Sequence, residues 1–214
     1  MSDDLLKKVT SLITDKDFQA LSSRCVATSL FEEIKFDENK KSDILAWLLN
    51  PNEGHQQGEY FIKALMNAVS SNADEAQFNT LSISADILQM SFSNLQVVRE
   101  LSITHKRQTK YIDLFLIDPY QQLVIVIERK DGSLAKNNQL FNYADWAEAH
   151  YEGWKHVFIL SDSYGLDHKK QYDKRYIQLD DTWLTDALLD LISRGKVTSY
   201  QETKFRDIHD YIFG

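Results

Sequence analysis

The apolar positions of this chain change period partway along. In residues 3–31, Leu5, Leu6, Val9, Leu12 and Ile13 recur at helical spacing, and Ser2 or Asp3 is placed to cap the first turn. A second helical piece is predicted from about Phe18 to Glu33. Residues 41–49 (KSDILAWLL) read as a strongly apolar helix ended by Asn50-Pro51, because the residue before a proline avoids the helical region. The loop NEGHQQG follows, then another helix over 59–71. Beyond residue 80 the spacing shortens to that of strands: 81–90, 95–104, 111–118 and 122–130. A helix from about Ser133 to His150, a strand at 155–161, a short strand at 175–179 and closing helices at 181–194 and 199–212 complete the pattern. Helices, a strand meander and a helical crossing to a further strand predict an α/β domain with a central mixed β-sheet flanked by helices and a helical N-terminal extension. The expected organisation is a single domain over 1–214: a helical part at 1–72, a core at 81–162 and a C-terminal helical part at 163–214.

Composition narrows the classes. At 43% apolar and 12% aromatic residues, the chain can bury a sizeable core, and two prolines and seven glycines argue against linkers or fibres. The formal net charge of −8 argues against tight nucleic-acid coating without metal, since such binding rests on cations that neutralise phosphates. The one cysteine, Cys25, leaves no intrachain disulfide and no cysteine-rich zinc site. The acidic, amphipathic N-terminus does not read as a signal peptide, and no apolar run approaches the roughly 20 residues of a membrane span. A soluble cytoplasmic protein with no membrane partner is expected.

The chemistry concentrates in YIDLFLIDPYQQLVIVIERK, Tyr111 to Lys130. Side chains in a strand alternate faces, so Tyr111, Asp113, Phe115 and Ile117 share one face, and Val124, Val126, Glu128 and Lys130 share one face. Asp118-Pro119 starts the turn of an antiparallel hairpin. If the register joins those faces, Asp113, Glu128 and Lys130 cluster at the open end. Isolated charges inside a half-buried sheet cost several kcal/mol unless paired or metal-bound. Two readings stay open on the residues alone. The carboxylates hold a divalent ion, whose bound water becomes a better nucleophile beside an ammonium that stabilises transition-state charge. Alternatively, Asp113 and Glu128 mark strand ends and pair with Lys130 or Arg129.

Taken together, these residues resemble the PD-(D/E)XK nuclease superfamily, whose mark is an Asp on one core strand and (Asp/Glu)-x-Lys on the next. Here those are Asp113 and Glu128-Arg129-Lys130, with Ile112 where a proline usually precedes the Asp. ENKKSDILAWLLNPNEGHQQGEYFIKALM (Glu38 to Met66) is similar to the opening of a bacterial branch. Gln139-Leu140-Phe141-Asn142-Tyr143 resembles the Gln-x-x-x-Tyr motif of RecB-like members. The resemblance spans roughly residues 32–162. It implies a restriction-endonuclease-like core and hydrolysis of phosphodiester bonds by a metal-activated water. Asp113 and Glu128 would ligate Mg²⁺ or Mn²⁺, Glu38 and Glu100 would support the metal, and Lys130 would position the water. Gln139 and Tyr143, four apart on one helical face, would steady the site or contact substrate. The implied partner is a DNA substrate, with RNA left open, and a homodimer or accessory defence or repair proteins are further candidates.

Each role has a plainer counterpart. Glu38 also reads as a helix cap, Glu100 as half of a salt bridge with Arg99 or Lys110, and Gln139 and Tyr143 as part of an amphipathic helix. Asn52, Glu53 and His55 either rim the site or belong to an ordinary polar loop, and a lone His55 is a weak metal signal. His105, Lys106, Arg107 and Lys110 touch phosphates or form a solvated hairpin tip, and His168 to Arg175 reads as an exposed charged loop. Trp146 and Trp154 read as packing residues. There is no Gly-rich phosphate loop, Gly-x-Ser-x-Gly elbow or His-Glu-x-x-His. The expectation is a Mg²⁺-dependent nuclease. The alternative is a catalytically inactive module of the same fold that binds nucleic acid or a protein.

Overall fold

The computed structural model describes residues 38–74, 89–105, 107–130, 137–162, 172–195 and 197–213, together with residues 11, 15 and 77. Of the expected elements, the helices over 3–31 and 18–33 and most of the strand at 81–90 lie outside the described residues, as do Cys25, Lys106 and residues 163–171.

In chain order the elements are α1 (Glu38–Leu49), α2 (Tyr60–Asn72), β1 (Gln96–His105), β2 (Gln108–Asp118), β3 (Leu123–Lys130), α3 (Asn137–His150), β4 (Lys155–Asp162), β5 (Tyr176–Asp180), α4 (Thr182–Ser193) and α5 (Ser199–Phe213). The strands form one five-stranded sheet in sequential order. β1, β2 and β3 pair antiparallel, while β3, β4 and β5 pair parallel, so the sheet is mixed. The switch at β3 follows from the connections. A short turn can only reverse the chain, whereas a parallel neighbour needs a long crossover, which α3 supplies.

The β2–β3 turn forms as its residues dictate. Asp118 is fully buried, and its Oδ1 accepts the backbone N–H groups of Tyr120 and Gln121, each at 3.0 Å. Every residue of β3 is buried except Lys130, the pattern of a strand covered on both sides. One sheet face, through Leu114, Leu116, Ile125, Ile127, Val157, Ile159 and Ile177, packs on α1, α2, α4 and α5. The other, through Phe115, Val124, Val126, Phe158 and Leu160, packs on Leu140, Tyr143, Ala144 and Ala147 of α3. Among the described residues no helix is long and apolar enough to cross a membrane.

Three local results matter for the site. First, β1 and β2 outrun their neighbour. β2 pairs with β3 only from Leu114 to Asp118, while its pairing with β1 continues to the tip at His105↔Gln108. A two-stranded ribbon therefore projects past the sheet beside α3. Second, the ladder of that ribbon breaks once. Arg99 pairs with Leu114 and Leu101 with Ile112, but Glu100 between them adopts φ +50°, a strained conformation for a non-glycine residue in a strand. Third, His168 to Arg175 is not a simple exposed loop where it is described. Arg175 pairs with Asp173 at 2.6 Å, Glu148 at 2.7 Å and Asp145 at 3.0 Å, and Asp173 is buried. A loop run rich in charge looks solvated in sequence. Here its arginine is held by carboxylates of α3, which the local sequence does not show.

Candidate active site

The β2–β3 register carries Phe115↔Val126 and Leu114↔Ile127, and one further step sets Asp113 across from Glu128. Both lie on the sheet face that packs on α3. Glu128 is wholly buried. Its Oε1 accepts Lys130 Nζ at 2.5 Å and Gln139 Nε2 at 2.8 Å. Its Oε2 is buried with no hydrogen-bond partner among the described residues. Gln139 Nε2 also donates to the Tyr143 hydroxyl at 2.9 Å, and that hydroxyl donates to the backbone carbonyl of Tyr111. The helical spacing of four thus does a defined job. It places an amide against Glu128 and a phenol against the edge of β2, tying α3 to both strands that carry acidic residues.

Asp113 is held differently. Its Oδ2 accepts the backbone N–H of Arg129 at 2.8 Å, in place of a strand partner. The Arg129 side chain points to the opposite face, as alternation requires. There it is buried and makes a bidentate pair with buried Asp181, Nη1–Oδ1 at 3.2 Å and Nη2–Oδ2 at 3.0 Å, and Ser161 Oγ donates to Asp181 Oδ1 at 2.9 Å. Asp181, at the β5–α4 junction, therefore fixes the residue whose amide orients Asp113. Sequence reasoning missed Asp181 and Ser161 and offered Lys130 or Arg129 as the partner of Asp113 and Glu128; Lys130 does pair with Glu128, whereas the Arg129 side chain pairs with Asp181. A charged residue between Glu128 and Lys130, on the inward face of a strand apolar on both sides, was the available signal that a buried acidic partner had to exist.

Burial pushes the Glu128 carboxyl up to about 8, the Asp113 charge adds to the rise, and Lys130 opposes it. Burial and the nearby Glu128 charge push the Tyr143 phenol up to about 12, so it stays a neutral donor. Among the described residues, two carboxyl groups stand beside one ammonium.

The remaining candidates fall elsewhere. Glu100 is exposed and pairs with Arg99 Nη2 at 3.5 Å, so the structure does not draw it into the cluster. Glu38 begins α1, and its side chain is outside the described residues. On that helix, Asp43 is the residue that reaches β1, through a salt bridge with Arg99. Among the described residues no three His, Cys, Asp or Glu side chains converge as a cage for an ion. His55 is buried in a loop anchor. One ring nitrogen accepts the Gln57 N–H at 3.0 Å, the other donates to the Asn50 carbonyl at 2.9 Å, and Trp47 and Phe61 pack edge-on. Burial holds its pKa down, so it is a neutral structural residue. Trp146 packs on Phe115 and Trp154 on Tyr151.

A mixed sheet with helices on both faces, carrying an Asp and a Glu-x-Lys on adjacent strands, defines the restriction-endonuclease-like class. A family model of the PD-(D/E)XK nuclease superfamily matches residues 29–210, and the chain belongs to that superfamily. No curated protein matches the chain.

Proposed function

We propose that the protein is a divalent-metal-dependent nuclease that hydrolyses phosphodiester bonds in DNA. The observation that carries this reading is the buried Glu128 carboxyl set against the Asp113 carboxyl, with Lys130 beside it and Oε2 without a donor among the described residues. A buried carboxylate oxygen without a donor is costly. Hard oxygen donors from one or two carboxylates are what Mg²⁺ or Mn²⁺ takes from a protein. Asp113 and Glu128 fit that requirement and would hold the ion, which when bound supplies Lewis-acid stabilisation of phosphate charge and lowers the pKa of water.

The protein's own groups divide the remaining work. Lys130 is mostly buried and held by Glu128, so its ammonium is a fixed positive charge for a water and for the charge that grows on the phosphate oxygens. Gln139 and Lys130 together occupy Oε1, which leaves Oε2 as the free ligand atom. Tyr143 holds Gln139 in that pose and closes the α3 side of the site. The Arg129 amide fixes Asp113 Oδ2. Preorganisation of this kind spares reorganisation at the moment of reaction.

The test is cleavage of supercoiled, linear and single-stranded DNA across a Mg²⁺ and Mn²⁺ titration, with calorimetry of ion binding on the same samples. Cutting that needs the ion and disappears in Glu128→Gln and Lys130→Ala is the expected result. Undiminished ion-dependent cutting by Glu128→Ala protein would overturn the proposal.

A further inference from the structure

A groove of about 560 Å³ lies between the tip of the β1–β2 ribbon and α3, lined by His105, Gln108, Lys110, Asn138, Phe141 and Asn142, with Asp145 at one side. Its size is that of a small-ligand cleft. Residues 138, 141, 142 and 145 recur at the spacing of one helical stripe, next to the one that carries Gln139 and Tyr143 to Glu128 and the Tyr111 carbonyl. On the ribbon, Lys110 precedes Tyr111. The groove therefore begins where the carboxylate site ends.

Among the described residues, its lining is richer in carboxamides than in cations. Among the described lining residues, Lys110 is the lysine or arginine present, while Asp145 is tied to Arg175 at 3.0 Å. A duplex backbone is gripped by many cations, and each neutralised phosphate adds to the salt dependence. This groove instead offers three carboxamides, which can donate and accept at once and match base edges. It also offers Phe141, 47% exposed, with the Arg175 guanidinium 5.6 Å from its ring centroid. His105 lines the ribbon side of the groove. An exposed aromatic ring ringed by carboxamides suits a planar, hydrogen-bonding ligand.

We infer that this groove is a subsite for an unpaired nucleobase of the strand being cut, stacked on Phe141 and met at its edge by Gln108, Asn138 and Asn142. The inference rests on the nuclease reading of the adjoining site for the identity of the ligand. Lys110 would meet the phosphate attached to that base, and the site would take a single strand or an extruded nucleotide.

The experiment measures fluorescence anisotropy of a short labelled DNA single strand and of a duplex of the same sequence. It is run with the unmodified protein in chelator and with Glu128→Gln protein in Mg²⁺, each with and without Phe141→Ala. Phe141→Ala is expected to weaken single-strand binding about 5- to 100-fold, the scale of one lost stacking partner. The same loss should appear at low and high salt, with duplex binding unchanged within about twofold and recovery in Phe141→Trp. Because Phe141 is half exposed, its truncation should leave the melting temperature in place. Equal binding by the Phe141→Ala and parent proteins, equal losses for strand and duplex, or no single-strand binding by either parent would overturn the subsite. Metal-dependent cleavage that persists alongside any of those results would leave the nuclease reading standing. A Phe141-dependent strand affinity without metal-dependent cleavage would leave the subsite standing and sink the nuclease.

Discussion

Two charge clusters sit back to back on β3, one residue apart in sequence and on opposite faces. Arg129, Asp181 and Ser161 form a charge-balanced set, with one cation and one anion in a bidentate pair and a hydroxyl on the anion. Among the described residues, Glu128, Asp113 and Lys130 form an unbalanced set, with two carboxyl groups, one ammonium and a buried oxygen without a donor. Both lie in nearly dry surroundings, so the difference is not exposure. It is charge balance. The first cluster matches its cation with an anion and serves the fold. In the second, a proton on Glu128 or an added cation would restore the balance. A local conflict of this kind, inside a sheet otherwise consistent with its sequence, is where function is expected to lie.

The contrast is broken most severely by Glu128→Gln. The substitution keeps the shape and removes the charge, so ion-dependent DNA cleavage should fall to background in a plasmid-nicking assay, while the melting temperature at pH 8 holds or rises. Asp181→Ala should do the reverse. It strands the buried Arg129 charge, and breaking a buried pair in this way costs about 3–5 kcal/mol, readable in a urea melt. Equal stability losses for the two variants would erase the distinction between the faces.

Proton linkage gives the next largest effect. Glu128 ionises near 8 in the fold, against the 4.5 of an ordinary glutamate carboxyl in water. The folded protein therefore binds a proton that the unfolded chain has released between those values. Stability conferred by that proton is full below about pH 4.5 and is lost as pH rises toward 8, at up to about 1.4 kcal/mol per pH unit. Thermal melts in chelator should show this decline, Glu128→Gln should flatten its Glu128 component, and saturating Mg²⁺ should offset it. An unchanged slope in the variant would remove Glu128 as its source. The smallest effect belongs to the supporting tie. Tyr143→Phe removes the phenolic hydroxyl that Gln139 and the Tyr111 carbonyl share, and it should cost about 10- to 100-fold in ion affinity or cleavage rate, the range seen for groups that orient metal ligands.

Much of this was legible in the residues. β1, β2 and β3 appear within two or three residues of the alternating runs, and Asp113, Glu128 and Lys130 meet because a period of two and a short turn leave few registers. The four-residue spacing of Gln139 and Tyr143 was equally readable, since a helix presents such pairs side by side. What local pattern does not carry is partner choice across distance. Arg129 and Asp181 are 52 positions apart, and nothing near either names the other. Arg175 looked like loop charge because two of its three carboxylate partners, Asp145 and Glu148, lie on α3. The left-handed Glu100 could not be anticipated, because no glycine or asparagine marks the spot.

The amide of Arg129 joins the two clusters, because its proton is donated to Asp113 while its side chain is locked to Asp181. Releasing that proton to solvent requires both partners to let go. The site strand and the β5–α4 corner should then open as one cooperative unit, and occupancy by an ion at Asp113 should slow hydrogen exchange around Asp181 on the far side of the sheet.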